Sequence, residues 1–365
     1  MYIQKVILNN FRNIKNLDIE LVKGINVFFG DNAQGKTNFL ESVYFCATGR
    51  SHRGGRDRDL ITLGEKTARA KVFFVDSDSC ADDISVEIDK EGKRIWVNGL
   101  PIRRLGELFG NLFCVIFSPE DLSLVKAGPG LRRRFMDMEL CQLYPTYYHD
   151  LRLYYKIMKQ RNNLLRDIGT KPDLIDTLEV WDEQLVKHGI NIIKARSVFI
   201  ERLSKIAHKN QHEITGGSEN LEIIYKNHVD EDVFLEKLIK ARSFDIARKS
   251  TSVGIHKDDM EFKVNDKDGR IFASQGQQRT AALSVKLAQI TLIEQEQNET
   301  PVLLLDDLLS ELDTSRQKFL MERMHGLQSI ITLTGAESAF DSFLNQKDAK
   351  IFMVEKGSMV WYNRG

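Results

Sequence analysis

The sequence predicts an α/β protein in two lobes, a nucleotide-binding head whose chain is interrupted by a helical insertion. Three observations carry that reading. A glycine-bounded loop, Gly30-Asp31-Asn32-Ala33-Gln34-Gly35-Lys36-Thr37, stands between an apolar run and a segment of helical periodicity. Far downstream, Val302-Leu303-Leu304-Leu305-Asp306-Asp307 is a short apolar run closed by two acids. Between them the chain becomes rich in Leu, Tyr, Lys and Arg, the composition of long helices.

Taken in order, the opening residues alternate apolar with polar, as in Leu17-Asp18-Ile19-Glu20-Leu21, and predict two strands. Ile25 to Phe29 reads as a buried strand ending at glycine, and Leu40, Val43, Tyr44 and Ala47 then fall at the spacing of an amphipathic helix. Period two returns from Lys71 to Val97, where Ile84, Val86 and Ile88 precede the turn Lys90-Glu91-Gly92-Lys93, so a hairpin is expected. Several long helices are expected from about Leu131 to Lys209, with Leu178, Trp181, Leu185 and Ile192 near one face. Thr215-Gly216-Gly217-Ser218 breaks that run, and strand signals resume past Phe262. A helix over about Gln277 to Gln295 follows, then buried strands at Val302–Leu305 and Ile330–Leu333 and a hairpin turning at Lys356-Gly357. The expected division gives residues 1–118 and 285–365 to the head and residues 119–284 to the helical lobe.

Composition narrows the class. Apolar residues are 42% and charged residues 28% of the 365, an ordinary globular balance. No stretch approaches the roughly 20 apolar residues of a membrane span, and Met1-Tyr2-Ile3-Gln4-Lys5-Val6 reads as a strand and not a signal core. A cytoplasmic protein without membrane contact is expected. Cys46, Cys80, Cys114 and Cys141 stand too far apart for a zinc cluster or disulfide framework and point to reduced thiols. With 52 basic and 52 acidic residues the chain is not globally basic. Charge is nevertheless segregated: Lys126 to Arg166 holds nine Lys/Arg against three Asp/Glu, and Thr291 to Glu322 reverses the sign.

The glycine loop fits the pattern G-x-x-x-x-G-K-S/T, a cradle whose backbone N–H groups wrap a phosphate at a helix N-terminus. Gly30 to Thr37 are therefore the expected ATP-binding residues, Lys36 reaching the β- and γ-phosphates and Thr37 holding Mg²⁺ through its hydroxyl. Asp306 at the end of the downstream strand is the second expected Mg²⁺ ligand. Asp307 is placed to orient or polarise the attacking water, so Lys36, Asp306 and Asp307 form the expected catalytic set. The paired acids resemble those of ABC-type ATPases, in which glutamate is commoner at the position of Asp307.

Ser274-Gln275-Gly276-Gln277 resembles the signature segment of ABC-type ATPases, with Ala273 and Gln275 replacing its leucine and first glycine. A serine and a free N–H at a helix start bind a γ-phosphate, and in ABC-type ATPases that phosphate belongs to the opposing subunit. An ATP-dependent homodimer with slow turnover follows. Ser310-Glu311-Leu312-Asp313 is like the D-loop that crosses such a seam; alternatively Asp313 caps the helix starting at Thr314. Thr334 and Gly335 stand where transporters carry a switch histidine, which leaves Thr334 as a weak sensor of the γ-phosphate.

Leu8-Asn9-Asn10-Phe11-Arg12-Asn13, Gly49-Arg50-Ser51-His52-Arg53, Phe117-Ser118-Pro119-Glu120-Asp121-Leu122, Arg132-Arg133-Arg134-Phe135-Met136-Asp137 and Gly254-Ile255-His256-Lys257-Asp258-Asp259 together resemble the RecF family through nearly the whole chain. The resemblance implies an ABC-type, SMC-like ATPase head with a short arm. It also implies binding to gapped or junction DNA when ATP is bound, work with RecR and RecO, and help in loading RecA. Arg12 then contacts nucleotide phosphates, and His52 and Arg53 line the nucleotide or DNA face, unless these are fold-stabilising charges. His256 orders a loop. Arg132, Arg133 and Arg134, in the basic stretch that also carries Tyr144, Tyr147, Tyr148, Tyr154 and Tyr155, are the candidate DNA contacts, with the tyrosines read mainly as core. A transporter cassette, a coiled-coil SMC head and a scaffold with a vestigial ATP site are the competing readings.

Overall fold

The computed structural model describes residues 1–335 and 348–362. The chain forms two compact units, one of residues 1–122 with 286–365 and the other of residues 123–285. The expected divisions after 118 and 284 fall four residues and one residue before those after 122 and 285.

In the first unit the chain runs through β1 (Tyr2–Phe11), β2 (Ile14–Glu20), β3 (Ile25–Gly30), α1 (Lys36–Thr48), β4 (Ala68–Val75), β5 (Ala81–Ile88), β6 (Lys93–Val97), β7 (Leu100–Pro101) and β8 (Cys114–Phe117). The second unit holds α2 (Pro129–Leu143), α3 (Pro145–Ile168), α4 (Leu178–Ile214), β9 (Leu221–Lys226), α5 (Phe234–Lys240), α6 (Arg242–Arg248), β10 (Asp259–Val264) and β11 (Lys267–Asp268). Helix α7 (Gln275–Gln297) carries the chain back to the first unit, which closes with β12 (Val302–Asp306), α8 (Thr314–Met324), β13 (Ser329–Thr334), β14 (Ala349–Glu355) and β15 (Ser358–Trp361).

Two sheets build the first unit, in strand orders β2-β1-β4-β5-β6-β7 and β15-β14-β3-β13-β12-β8. The first is antiparallel and alternates: Ile3, Val6, Leu8 and Phe11 of β1 are fully buried while Gln4 and Asn9 face water. In the second, β14, β3, β13, β12 and β8 run parallel. Every residue of β12 is buried, the unbroken apolar run expected of a strand covered on both faces. Helix α1 touches β1, β4 and β5 of one sheet and β3, β8, β12 and β13 of the other. This position corrects its sequence reading as amphipathic. Phe39, Phe45, Cys46 and Glu41 are buried along with the predicted face, because both sides of α1 meet a sheet. Phe28 marks the packing, its ring 4.4 Å from Phe39 and stacked on Phe352 at 4.6 Å.

The second unit is held by buried arginines that sequence patterning did not single out. Arg161 of α3 donates to Asp182 of α4 at 2.6 Å, to Asp245 of α6 at 2.7 Å and to Thr251 at 2.9 Å, with both ion-pair partners fully buried. Arg196 of α4 reaches Asp258, Asp137, Tyr147 and the Ile255 carbonyl. Tyr147 and Tyr154 are core residues, as read from sequence, whereas Tyr155 keeps an exposed edge. Helix α4 runs past the expected end at Lys209 to Ile214, where the Gly217 N–H closes on the His212 carbonyl. Among the described residues no helix is long and apolar enough to cross a membrane.

Removing one member of a buried ion network strands its partners without water. Arg161→Ala should therefore lower the stability of the helical unit by about 3–5 kcal/mol, read as an earlier transition in chemical denaturation. A midpoint unchanged from wild type would refute the structural weight given to this network.

Candidate nucleotide site

Strand β3 delivers the glycine loop and α1 leaves it, as the apolar-run-then-helix pattern requires. Gly35 caps α1 at φ +116°, a backbone that side-chain-bearing residues avoid, and no side chain caps the helix start. The first N–H groups of α1 are thus left for an anion. Lys36 is buried and its Nζ donates to the Gly30 carbonyl at 2.7 Å, the Asp31 carbonyl at 2.9 Å and Thr334 Oγ1 at 2.9 Å. Burial lowers its pKa, and the nearby Asp307, Asp306 and Asp31 work against that shift.

The two acids arrive through sheet register. Strand β13 lies between β3 and β12, pairing Thr332 with Asp306 on one side and Thr334 with Gly30 on the other. Residues two apart on a strand share a face, so both threonine hydroxyls point into the same site. Asp306 Oδ1 accepts from Thr37 Oγ1 at 2.8 Å and from Thr332 Oγ1 at 2.9 Å. The Asp307 N–H in turn donates to Thr332 Oγ1 at 2.9 Å, fixing a residue whose φ is +47°. Thr334 Oγ1 lies 2.7 Å from Asp307 Oδ2 and 3.2 Å from Asn32 Oδ1. Asp307 Oδ1 is buried and has no partner among the described residues. Burial raises the pKa of Asp306, the bonds from Thr37 and Thr332 oppose that, and Asp307 and Glu120 add to the rise.

These groups fit the expected ligands. Thr37 Oγ1 and Asp306 Oδ1 are adjacent hard oxygens, and among the described residues no cluster of three His, Cys, Asp or Glu side chains competes for a metal. That donor set suits Mg²⁺, which keeps waters and substrate phosphates as its remaining ligands. The cleft itself encloses about 530 Å³ and is walled by the loop, Arg12, Arg53, Asp59, Ile61 and Asp307.

Arg12 lines this cleft but is heavily committed. Its Nε and Nη2 grip Glu41 at 2.9 and 2.8 Å and its Nη1 meets the Asp59 carbonyl at 2.8 Å. Burial alone would raise the pKa of Glu41, yet the bonds from Arg12 and Ser51 and the Arg12 charge hold it below its ordinary value. Arg12 is therefore first a brace between the opening strand and α1, with only its outward edge turned to the cleft. Arg53 also faces the cleft, whereas His52 does not line it. His52 packs edge-on to Tyr44 at 5.8 Å, and burial holds its pKa at about 4.

The bracing of the loop was not legible in the motif. Asn13 Nδ2 donates to the Gln34 carbonyl at 3.1 Å, and Asn38 Nδ2 to Asn13 Oδ1 at 2.8 Å. From the terminal hairpin, the Lys356 N–H meets Gln34 Oε1 at 2.6 Å and the Gly357 N–H meets the Gln34 carbonyl at 2.8 Å. A Cβ at Gly357 would sit 2.4 Å from the Asn13 carbonyl oxygen. The turn signal at Lys356-Gly357 was visible in the sequence; its target was not.

The remaining expected residues fall elsewhere. In the second unit, Ser274 and Gln277 form a capping box at the start of α7. The Gln277 N–H donates to Ser274 Oγ at 3.3 Å and the Ser274 N–H to Gln277 Oε1 at 2.9 Å. Ser274, Gln275 and Gly276 are exposed, as are the neighbouring Ile271 and Phe272. Asp313 caps α8 by accepting from the Arg316 N–H at 3.0 Å and remains exposed. His256 orders its loop, bridging the Tyr154 hydroxyl and the Thr251 carbonyl at 3.1 Å each. Arg132 must be withdrawn as a DNA contact. Its guanidinium is buried in a two-pronged pair with Asp259, both bonds 2.7 Å, because it joins α2 to β10. Arg133 is half-buried on the Asp258 carbonyl at 2.8 Å, and Arg134 is exposed.

Against this geometry stand the known proteins that the chain is similar to. The family described as RecF/RecN/SMC N terminal domain matches residues 2–359. The DNA replication and repair protein RecF of Lachnoclostridium phytofermentans is 45% identical over 362 residues, covering 98% of this chain and 99% of that protein. Its counterpart in Clostridium tetani is 46% identical over 371 residues, covering 99% of this chain and 100% of that protein. A solved structure of the recombination mediator protein RecF with ATP, in the RecFOR pathway, superposes with a TM-score of 0.93 at 34% identity, covering 99% and 98% of the two chains. An SMC head bound to the C-terminal winged-helix domain of ScpA shares the fold, with a TM-score of 0.57 at 18% identity over 100% of this chain and 98% of that one.

Thr332 touches both acids. Thr332→Val should lower the hydrolytic rate by about 10- to 100-fold, the usual cost of losing a group that orients a ligand. ATP affinity should move far less, and Thr332→Ser should restore the rate. Steady-state ATPase assays with a parallel nucleotide-binding titration decide this; equal losses in rate and affinity would contradict it.

Proposed function

The chain belongs to the RecF proteins of the RecF/RecN/SMC family, and we propose that it is an ABC-type DNA replication and repair ATPase that closes two heads around ATP. The observation that carries the reading is the convergence of Lys36, Thr37, Asp306 and Asp307 across three adjacent parallel strands. Loop N–H groups and Lys36 bind the phosphates. Thr37 and Asp306 hold Mg²⁺, which neutralises charge on the phosphate oxygens when bound. The unpartnered Asp307 Oδ1 is the acceptor that orients the attacking water, and Thr334 fixes the other oxygen of the same carboxylate. Turnover is slow because the active site is assembled from two chains.

The exposed start of α7 supplies the second half of the site in a neighbouring copy. Ser274, Gln275 and Gly276 are exposed at this helix start, where the dipole of α7 favours an anion. ATP is then the glue of a homodimer, with Asp313 at the seam. Hydrolysis is slow until DNA organises the pair. Its substrate surface is duplex DNA with a single-stranded gap or a junction, in the cytoplasm, and its partners are RecR and RecO, through which RecA is loaded.

Sizing by light scattering tests the central claim. Wild type should double in mass on adding ATP, and Ser274→Arg should stay monomeric while binding nucleotide with unchanged affinity. A Ser274→Arg protein that dimerises normally would remove the composite site.

A further inference from the structure

Within the helical unit, among the described residues, six lysines hold ion pairs on the elements other than α3. Lys194 pairs with Glu231, Lys205 with Glu201, Lys209 with Glu213, Lys226 with Glu261, Lys240 with Glu236 and Lys263 with Glu222. Helix α3 is built differently. Tyr147, Tyr154, Ile157, Arg161, Leu165 and Ile168 turn inward. On the opposite side Arg152, Lys156, Lys159 and Arg166 are exposed at spacings of four, three and seven, which places them along one stripe. Arg152, Lys156 and Lys159 have no ion pair among the described residues, and Arg166 has only a bond from its Nη1 to Asn163 Oδ1 at 3.2 Å. The acids of the same helix leave the stripe uncompensated. Asp150 is turned to His188 and Asn191 of α4, and Asp167 is the single carboxylate next to Arg166.

We propose that this outer stripe of α3, and not the Arg132-Arg133-Arg134 cluster, is the surface on which the chain receives the DNA phosphate backbone. The proposal rests on the DNA reading given above and names its contact surface. From Arg152 to Arg166 the helix rises about 21 Å, the length of roughly six base pairs at 3.4 Å each. Tyr155, partly exposed beside Lys156, adds an aromatic edge without the deep platform that base stacking needs. The stripe is thus made for charge and not for sequence. Of the arginine triplet, Arg132 is buried on Asp259 and Arg133 is half-buried on the Asp258 carbonyl, which leaves Arg134 as its one exposed member.

The test uses the full chain with ATP and a gapped fluorescent duplex, titrated by anisotropy at several salt concentrations. The triple variant Arg152→Gln, Lys156→Gln, Lys159→Gln should bind at least about tenfold more weakly at low salt. Its slope of log K against log salt should be shallower by about 2–3, close to 0.9 for each lost phosphate contact. The control Lys194→Gln, Lys205→Gln, Lys240→Gln removes three paired lysines and should leave the slope unchanged. ATP affinity and thermal midpoint should match wild type in both. If wild type binds the duplex and the α3 variant keeps its affinity and slope, the stripe serves another partner and the proposal falls. Equal losses in variant and control would show a diffuse field in place of a built surface. If wild type fails to bind DNA with ATP, the functional reading itself falls with it.

Discussion

Two carboxylates and one ammonium share a half-buried pocket, and the rest of the head is arranged around making that tolerable. Charges removed from water are costly unless each is hydrogen-bonded and faces an opposite charge. Lys36 meets two carbonyls and a hydroxyl, and Asp306 meets two hydroxyls. The strand between them supplies the neutral donors. Thr332 and Thr334 project from β13 toward both flanking strands, so one element sets the spacing of groups that lie far apart in the chain. Had β12 paired directly with β3, no residue would stand between the lysine and the acids to divide their interactions.

Asp307 shows the cost of this arrangement. A left-handed backbone at a residue other than glycine is strained by roughly 1–3 kcal/mol. The Thr332 hydroxyl holds the Asp307 N–H, and Thr334 holds one carboxylate oxygen, so the surrounding sheet over-determines the conformation. The second oxygen is left over. A buried carboxylate oxygen without a partner is destabilising in the resting protein, and it is the atom proposed above to orient the attacking water. Strain and an unmet hydrogen bond fall on the same residue, which is the usual mark of a site shaped for reaction before it is shaped for stability.

Much of this was legible in the chain because local chemistry determined it. Gly35 and Lys36 declare the phosphate loop by spacing alone, and the unbroken run Val302 to Leu305 declares a strand covered on both faces. The α1 helix misled in one respect. Its apolar residues at helical spacing read as one buried face, but a second sheet covers the other, and a buried Glu41 paired with Arg12 sits among the apolar residues. The bracing of Gln34 by Asn13 and the Gly357 turn joins residues from both ends of the sequence, and no local pattern encodes which loop a turn will touch. Arg132 failed for the same reason. Three successive arginines look alike in sequence, and only the placement of β10 beside α2 decides that the first turns inward to Asp259.

That failure also explains how the helical unit divides its cations. A guanidinium delocalises its charge and offers five donors in a plane, so it can be buried when several acceptors surround it. Arg132, Arg161 and Arg196 each meet two or more acceptors, and all three are buried. An ammonium is compact and strongly hydrated, and the lysines of this unit stay at the surface. Helical periodicity then does the sorting on α3. Arg161 stands nine residues after Arg152 and two after Lys159, which at 100° per residue turns it away from both and into the core. A helix of high positive charge thereby spends one cation on its own fold and keeps the others together on the side facing water. Net charge over the stretch could not have revealed this, because it counts Arg161 and Arg132 as surface groups when their charge is already balanced inside the protein.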